Sequence, residues 1–366
     1  MKRERVAIVG AATSGLIAAR SLGRHGVETT VYDQKTRLGF PVRASGILSI
    51  SGLAGLKIGY RSGITNTLRG ARIHAGKREM TIRAGGDIAY VLDRIKLNEI
   101  CRDEAEAAGA KVVTGKKIDG QALDQLHADN IMVGADGAVS TVARHFAMGG
   151  MGKHVLTYKA EYDVGGLDDM VDLFFGRDIS PNFFAWFCPN TKDVLEVGIG
   201  VDPAYGNAKR AFDNFIKREE VKSVIGNAKM LDGAACIIPM SLRRKIVDNA
   251  GEVLLVGDAA GQVKPSTGGG IIFGGNAAML AADAINNHIR DGDSLEAYDK
   301  AFRKGFLMDL KMHSIVNKLY SGLGTRGVES ALGVMGMLGM DSFLGKHGDM
   351  DRPTLILKRL FLRERG

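Results

Sequence analysis

The sequence predicts an α/β protein: a doubly wound parallel sheet, an antiparallel sheet inserted into it, and a helical C-terminal region. Three observations support this. Apolar strand segments run into glycine and an acid near residues 10, 136 and 258. Residues 153–244 alternate apolar and polar positions, which suits antiparallel strands rather than strand–helix–strand units. Beyond residue 300 the apolar spacing becomes helical. The boundaries that follow are 1–66, 88–152 and 245–300 for the parallel-sheet domain, 67–87 and 153–244 for the inserted sheet, and 301–366 for the helical region.

Arg5 to Val9 is an apolar strand, followed by Gly10-Ala11-Ala12-Thr13-Ser14-Gly15 and a helix from Leu16 to His25. This strand, glycine turn and helix stand where a Rossmann-type dinucleotide fingerprint stands, with Ala12 in place of the middle glycine. A second strand, Thr29 to Tyr32, ends at Asp33, 23 residues after Gly10. At that spacing a carboxylate meets ribose hydroxyls, although a solvated strand-end acid is the plainer alternative. Residues 39–66 are rich in glycine and serine, with Pro41 to Ile47 as a loop. A hairpin is expected over Arg69 to Ile82, turning at Ala75-Gly76-Lys77. From Asp87 the apolar positions Ile88, Val91, Leu92, Ile95, Leu97 and Ile100 read as helical, with Arg94 among them. Lys111 to Thr114 and Asn130 to Val133 are further strands, and the latter runs into Gly134-Ala135-Asp136-Gly137.

The inserted segment holds the single tryptophan, Trp186, in Pro181-Asn182-Phe183-Phe184-Ala185-Trp186-Phe187-Cys188-Pro189. Four aromatics alternating on a strand would divide between a core and a cavity. The most informative stretch is Gly251 to Asn287: an apolar strand, Gly257-Asp258, a loop with Pro265, Ser266 and Thr267, then Gly268, Gly269, Gly270 and a helix from Ile271. A glycine-led helix presents backbone N–H groups and a positive dipole end to a flat or anionic ligand. Asp258 can accept bonds from sugar-like hydroxyls. Leu307 to Tyr320 is helical. The later Met335, Met337 and Met340 could adapt to an irregular apolar ligand or simply close a loosely packed region.

Composition narrows the function classes. A net charge of +8 favours anionic partners, yet no basic stripe is interleaved with aromatics, which argues against nucleic acid. The three cysteines fit neither a disulfide framework nor a zinc site, so a reducing cytoplasm is the simplest context. No apolar run has membrane-spanning length. Leu355 to Arg363, apolar with flanking cations, could rest on an anionic membrane surface or dock as a terminal helix.

Over roughly residues 5–300 the chain resembles the flavin-dependent geranylgeranyl reductases of the archaeal digeranylgeranylglycerophospholipid type. Gly10 to Gly15, Asp33, Arg94, Asp136-Gly137 and Gly257-Asp258 carry the shared flavoprotein part. Pro181 to Pro189 resembles the reductases' P-x-x-Y-x-W-x-F-P motif, with Phe184 for Tyr and Cys188 for Phe. The resemblance implies FAD, held by Gly10, Ser14, Gly15, Asp33, Arg43, Ala44, Ser45, Ile47, Arg94, Ile118, Asp258, Gly268, Gly269, Gly270 and Ile271. It implies a pocket formed by Pro181, Phe184, Trp186 and Pro189, and a geranylgeranyl-bearing lipid as substrate. The flavin would carry the hydride, with no metal. The electron donor stays open between ferredoxin, NAD(P)H and others. Many relatives have a cysteine where this chain has Ala44, and Phe184 lacks a phenol, so no side chain is assigned as proton donor. An aromatic monooxygenase shares Asp136-Gly137 and is the rival enzyme. A lipid carrier with a vestigial flavin fold, suggested by Ala12 and Ala44, is the non-enzymatic alternative.

Overall fold

The computed structural model describes residues 4–356. A parallel sheet is formed by β1 (Arg5–Val9), β2 (Thr29–Tyr32), β8 (Lys111–Val113), β9 (Asn130–Gly134) and β15 (Val253–Leu255). Its strand order is β15-β9-β1-β2-β8. Every strand pair in it is parallel. The strands are short and apolar because both faces are covered by helices. α1 (Thr13–Arg24) packs against α3 (Arg94–Ala107) and α8 (Ile271–Asp291). Arg20, only 1 % exposed, ties these layers together. Its guanidinium donates to the last carbonyls of α2 (Ile50–Leu56), at Leu56 and Lys57, and pairs with Glu104 of α3 at 2.7 Å.

A small antiparallel sheet, β3 (Ile47–Ser49), β7 (Ala89–Leu92) and β4 (Ile64–Leu68), lies beside this layer. Here the structure departs from the helical reading of residues 88–100. The chain forms β7 first, and α3 begins only at Arg94, capped by Asp93 through Ile95 N and Lys96 N. Val91 and Leu92 are both buried, so two elements laid end to end imitate one helical period.

The inserted sheet has the order β14-β10-β13-β12-β11-β5-β6. Its strands are β5 (Gly70–Ala75), β6 (Arg78–Arg83), β10 (His154–Asp163), β11 (Met170–Phe175), β12 (Ala185–Pro189), β13 (Val194–Val201) and β14 (Met230–Pro239). All pairs are antiparallel except β11–β5, where the hairpin from residues 70–83 joins in parallel. One face is packed by α6 (Ala208–Phe215) and α7 (Glu219–Ile225) through Phe212, Phe215, Val221 and Ile225. The short helices α4 (Gln121–Asp129) and α5 (Thr141–His145) flank β9.

After α8 the chain forms α9 (Glu296–Met337) and α10 (Met340–His347). α9 is two helices joined at Gly324, whose φ of 64° and ψ of −179° break the helical path. Met335 packs against the buried cluster under β5 and β6, whereas Met337 is 81 % exposed. The methionine-rich tail therefore does not line a pocket as a group. Most of the Leu355–Arg363 segment lies outside the described residues.

Candidate active site

The strand order brings the carboxyl ends of β15, β9, β1 and β2 side by side, so the three glycine–acid junctions and Asp33 gather along one edge. At Gly10 the backbone φ is +108°, and a Cβ would stand 2.3 Å from the Ala135 carbonyl oxygen. A Cβ at Gly15 would stand 2.0 Å from the Gly10 carbonyl oxygen. These two positions admit only hydrogen. Ala12 is different: its φ of −85° suits any residue and its methyl is exposed, so the missing fingerprint glycine costs the turn nothing. α1 starts without a side-chain cap and without an acid in its first turn, which leaves backbone N–H groups for an anionic ligand. Asp33, half-buried, accepts from Ala11 N at 2.7 Å and from Lys35 N at 2.8 Å. Its remaining lone pairs are free for hydroxyl donors.

Asp136 has a local task instead. Its carboxylate takes Ser140 Oγ at 2.5 Å, Thr141 N at 2.6 Å and Val142 N at 3.1 Å, and so caps α5. This junction meets the others through its backbone, at Ala135.

At the third junction Ser14 Oγ fills the space beside Gly257 and Gly274, standing 2.7 and 2.5 Å from where their Cβ atoms would be. Asp258 keeps partial surface exposure but is closely surrounded by protein. Burial pushes its carboxyl up to about 6, with the Arg94 charge acting in the opposite direction. Burial likewise lowers the Arg94 guanidinium, against the charges of Cys101, Asp258 and Asp93. Arg94 Nη1 is buried with no hydrogen-bond partner. A buried, unpaired charged donor is costly and calls for an acceptor that no described residue supplies.

Gly268, Gly269 and Gly270 each have a packing reason. Gly268 has φ +78°, and a Cβ there would press on Ile238 at 2.9 Å. At Gly269 it would meet Lys264 Cε at 2.7 Å, and at Gly270 it would meet Asp258 Oδ1 at 2.8 Å. The three bare positions thus let one loop touch the inserted sheet, Lys264 and Asp258 together. Ile271 then opens α8, which has no side-chain cap and no acid in its first turn.

In the preceding loop Arg43 and Ala44 are exposed, Ser45 is half-buried, and Ile47 begins β3. Ile118 is buried in the core beneath the parallel sheet, at 5 % exposure. Ser45 Oγ donates to Glu196 of β13, which joins this loop to the inserted sheet.

Glu196 was not singled out by the sequence, and it organises the other half of the site. Strand register sets Cys188 opposite Glu196, and both Trp186 and Lys159 opposite Gly198, so these side chains share one sheet face. Glu196 has 0 % exposure and accepts from Lys159 Nζ at 2.5 Å and from Trp186 Nε1 at 2.8 Å, as well as from Ser45. Burial works to lower the Lys159 ammonium, but the charge and hydrogen bond of Glu196 outweigh it and hold it raised. Burial and the same carboxylate push the Cys188 thiol well up. A lone acid inside the apolar run Val194-Leu195-Glu196-Val197 was the available signal.

The aromatic motif divides between two faces. Phe183 and Phe184 precede β12 rather than alternating along it, and they stack on each other at 4.3 Å. A Cβ on Gly198 would stand 2.1 Å from Trp186 Cζ2, and one on Gly200 would stand 2.3 Å from Phe183 Cδ1. Both rings therefore lie close over bare glycine backbone. Phe184 continues to Phe175 at 5.5 Å, and Phe175 to Tyr320 at 4.9 Å. Phe187 points the other way, into core packing with Phe174 and Phe215. Pro189 borders a cavity of about 360 Å³ on that opposite face, so it does not share the Trp186 side. Pro181 is half-buried and accepts from Asp202 N at 3.2 Å. Phe183 Cζ lies 3.6 Å from the place of a Gly268 Cβ, which brings the aromatic floor against the loop that opens α8.

Beneath that loop is a second buried polar group. Lys264 Nζ bonds Asp351 Oδ1 at 2.7 Å, and Ser49 donates to the other carboxylate oxygen. Ser266 Oγ bonds His313 Nδ1 at 2.6 Å, and His313 Nε2 meets the Asp351 carbonyl at 3.1 Å. Burial and the Lys264 charge push His313 down to about 4, so the ring is neutral. In that state Nε2–H donates to Asp351 and Nδ1 accepts from Ser266.

Residues 155–234, which include β12, β13 and their aromatic floor, match the family described as the geranylgeranyl reductase catalytic domain. The likeness to the geranylgeranyl reductases is thus placed on the inserted sheet. Two relatives extend the likeness over most of the chain. An uncharacterized protein of Methanocaldococcus jannaschii is 28 % identical over 95 % of this chain and 92 % of its own length. The digeranylgeranylglycerophospholipid reductase of Methanosarcina acetivorans is 29 % identical over 89 % and 86 %. Among solved structures, a geranylgeranyl bacteriochlorophyll reductase-like protein from Thermoplasma acidophilum superimposes with a TM-score of 0.78 at 22 % identity, over 97 % of this chain and 94 % of that one. The flavin-dependent brominase Bmp2 shares the fold more distantly, with a TM-score of 0.67 at 14 % identity and 99 % coverage of both chains. The family's catalytic-domain match spans Trp186, Glu196, Gly198 and Lys159 together.

Proposed function

We propose that this chain is a flavin-dependent reductase that saturates C=C bonds in the geranylgeranyl chains of archaeal-type glycerophospholipids. The observation that carries this reading is the contact between two surfaces. A floor of Trp186 and Phe183 over Gly198 and Gly200 abuts the Gly268 loop and the uncapped start of α8. The residues present fit FAD. Asp33 would take the adenosine ribose, the N–H groups opening α1 the pyrophosphate, and Asp258 the hydroxylated linker. Arg94 Nη1 has no acceptor of its own, and the α8 entrance offers N–H groups and dipole to an anionic ring.

When bound and reduced, FAD supplies the hydride, and a proton completes the saturation. The protein's task is placement. Phe183, Phe184 and Trp186 exclude water and give an isoprenoid chain an apolar seat. Ser45 and Trp186 are both held by Glu196, which fixes the loop and the floor relative to each other. Ala44 and Phe184 bring no titratable group to the site.

Mass spectrometry of a geranylgeranylated phospholipid, incubated without oxygen with dithionite-reduced protein, tests this. Mass gains in steps of two hydrogens are expected. No gain, together with oxygen-dependent hydroxylation of an aromatic substrate, would assign the chain to the monooxygenases instead.

The Asp258 carboxyl gives a pH signature. A hydroxyl donated to its carboxylate favours ionisation, so FAD affinity of the apoprotein is expected to rise as pH increases through about 6 and then level off. Each unit by which the ligand lowers this pKa is worth about tenfold. Because the folded value is raised, the same group stabilises the apoprotein at low pH, and that contribution is lost as pH rises toward 6. Fluorescence titration with FAD at pH 5 and 7 reads the effect. An Asp258→Asn protein that kept the same pH dependence would contradict it.

A further inference from the structure

We propose that the outer face of α9 docks this protein onto an anionic lipid bilayer, an inference that builds on the lipid-substrate reading. The inner side of α9 is occupied: Phe302, Leu310 and His313 are buried, and Tyr320 meets the Phe175 ring edge-on. Among the described residues the outer side has large hydrophobic side chains left exposed. Fifteen large hydrophobic side chains are exposed among the described residues, and eight of them fall between residues 308 and 338. Five of the eight, Met308, Ile315, Val316, Leu319 and Leu323, precede the break at Gly324, and their concentration on one helix separates this face from the scattered apolar residues of an ordinary surface. Met308, Ile315, Leu319 and Leu323 recur at steps of seven, four and four, which aligns them in one stripe along the helix. They are 62 %, 48 %, 57 % and 50 % exposed.

Charge identifies the occupant. Between Lys304 and Leu338 the exposed charged side chains are Lys304, Lys311, Lys318 and Arg326. The three lysines recur every seven residues and so form a cationic flank beside the stripe. The only carboxylates in this stretch are engaged elsewhere. Asp309 is 2 % exposed and binds Arg352 and Thr354, while Glu329 accepts from Lys77 N. An apolar stripe with a cationic flank and no acid is the pattern of a helix lying in a membrane interface. A second copy docked about a two-fold axis would set these cations against their own image, which disfavours a dimer. The terminal residues 357–366 carry four cations and one acid, and so have the same sign as the face.

The same helix packs against the aromatic cluster on its inner side. Tyr320 belongs to the aromatic cluster, and Gly324, where α9 breaks, lies one turn further on.

Co-sedimentation of the intact protein with vesicles tests the proposal. Binding is expected to vesicles of phosphatidylglycerol mixed with phosphatidylcholine, to weaken with salt, and to be lost on phosphatidylcholine alone. The double variant Leu319→Ser/Leu323→Ser should bind about tenfold more weakly or worse. Lys311→Glu/Lys318→Glu should do likewise while keeping the wild-type thermal melt. Wild-type protein that stays in the supernatant, or leucine variants that pellet equally, would overturn the proposal. So would a wild-type dimer that the leucine substitutions convert to monomer. Reduction of detergent-dispersed lipid should be unchanged in both variants. If that reduction is absent while vesicle binding persists, the reductase reading fails and the docking face stands.

Discussion

Glu196→Ala is expected to destabilise the protein by about 3–5 kcal/mol, the scale for removing one partner of a buried ion pair. The substitution leaves the Lys159 ammonium in a site where only 5 % of the residue is exposed, and it removes the acceptor of Trp186 Nε1 and Ser45 Oγ. Glu196→Gln keeps an acceptor for the indole but not the charge, so it should show that Lys159 is the larger part of the loss. Replacing both partners, as Lys159→Met/Glu196→Gln, should recover much of the stability, because the uncompensated charge is then gone. Urea or thermal unfolding of the four proteins reads these differences. A Glu196→Ala protein within 1 kcal/mol of wild type would mean that the network contributes little.

Gly198→Val is expected to lower lipid turnover about a hundredfold, the cost of misplacing a reacting group by about an ångström. The first side-chain carbon would stand 2.1 Å from Trp186 Cζ2 and 2.2 Å from Cε2. Gly198 lies inside β13 with ordinary strand backbone, so valine is compatible with the chain itself and the ring must give way. Displacing the indole also strains its 2.8 Å bond to Glu196. Flavin content should be unaffected, because the residues proposed to hold FAD sit at the parallel sheet and the Gly268 loop. Equal turnover in wild type and Gly198→Val would remove Trp186 from the substrate floor. Loss of bound flavin in the variant would instead show that the two halves of the site do not act separately.

The parts legible in the sequence are those whose physics is local. Gly10 and Gly257 need a positive φ, and Asp33 reaches back across one strand pair to Ala11. Such constraints leave marks within a few residues or at a fixed spacing. The convergence of these junctions also followed, since adjacent parallel strands place their carboxyl ends together. The Lys159–Glu196 pair was hidden because it depends on strand register: two charges 37 residues apart meet only once β10 lies beside β13. The Lys264–Asp351 contact spans 87 residues and has no periodic signature at all. The strand at 89–92 reads as helical for the opposite reason, since its buried positions continue the phase of α3. The sequence reads Gly268, Gly269 and Gly270 as a ligand-facing helix entrance, whereas the structure gives each bare position a packing neighbour of its own, which a sequence cannot show.

The Lys264–Asp351 bond also sets an order of assembly. Ser49, Lys264 and Asp351 come together from points 302 and 87 residues apart, with the aspartate last in the chain. Domains fold from the N-terminus as they emerge from the ribosome. The parallel sheet and the inserted sheet can therefore be complete while the ammonium of Lys264 still has no counter-charge beneath the glycine loop. The aspartate arrives only after α9 and α10 have been made, and it closes the loop from below. A nascent chain halted before residue 351 is therefore expected to hold Lys264 without its Asp351 partner beneath the glycine loop.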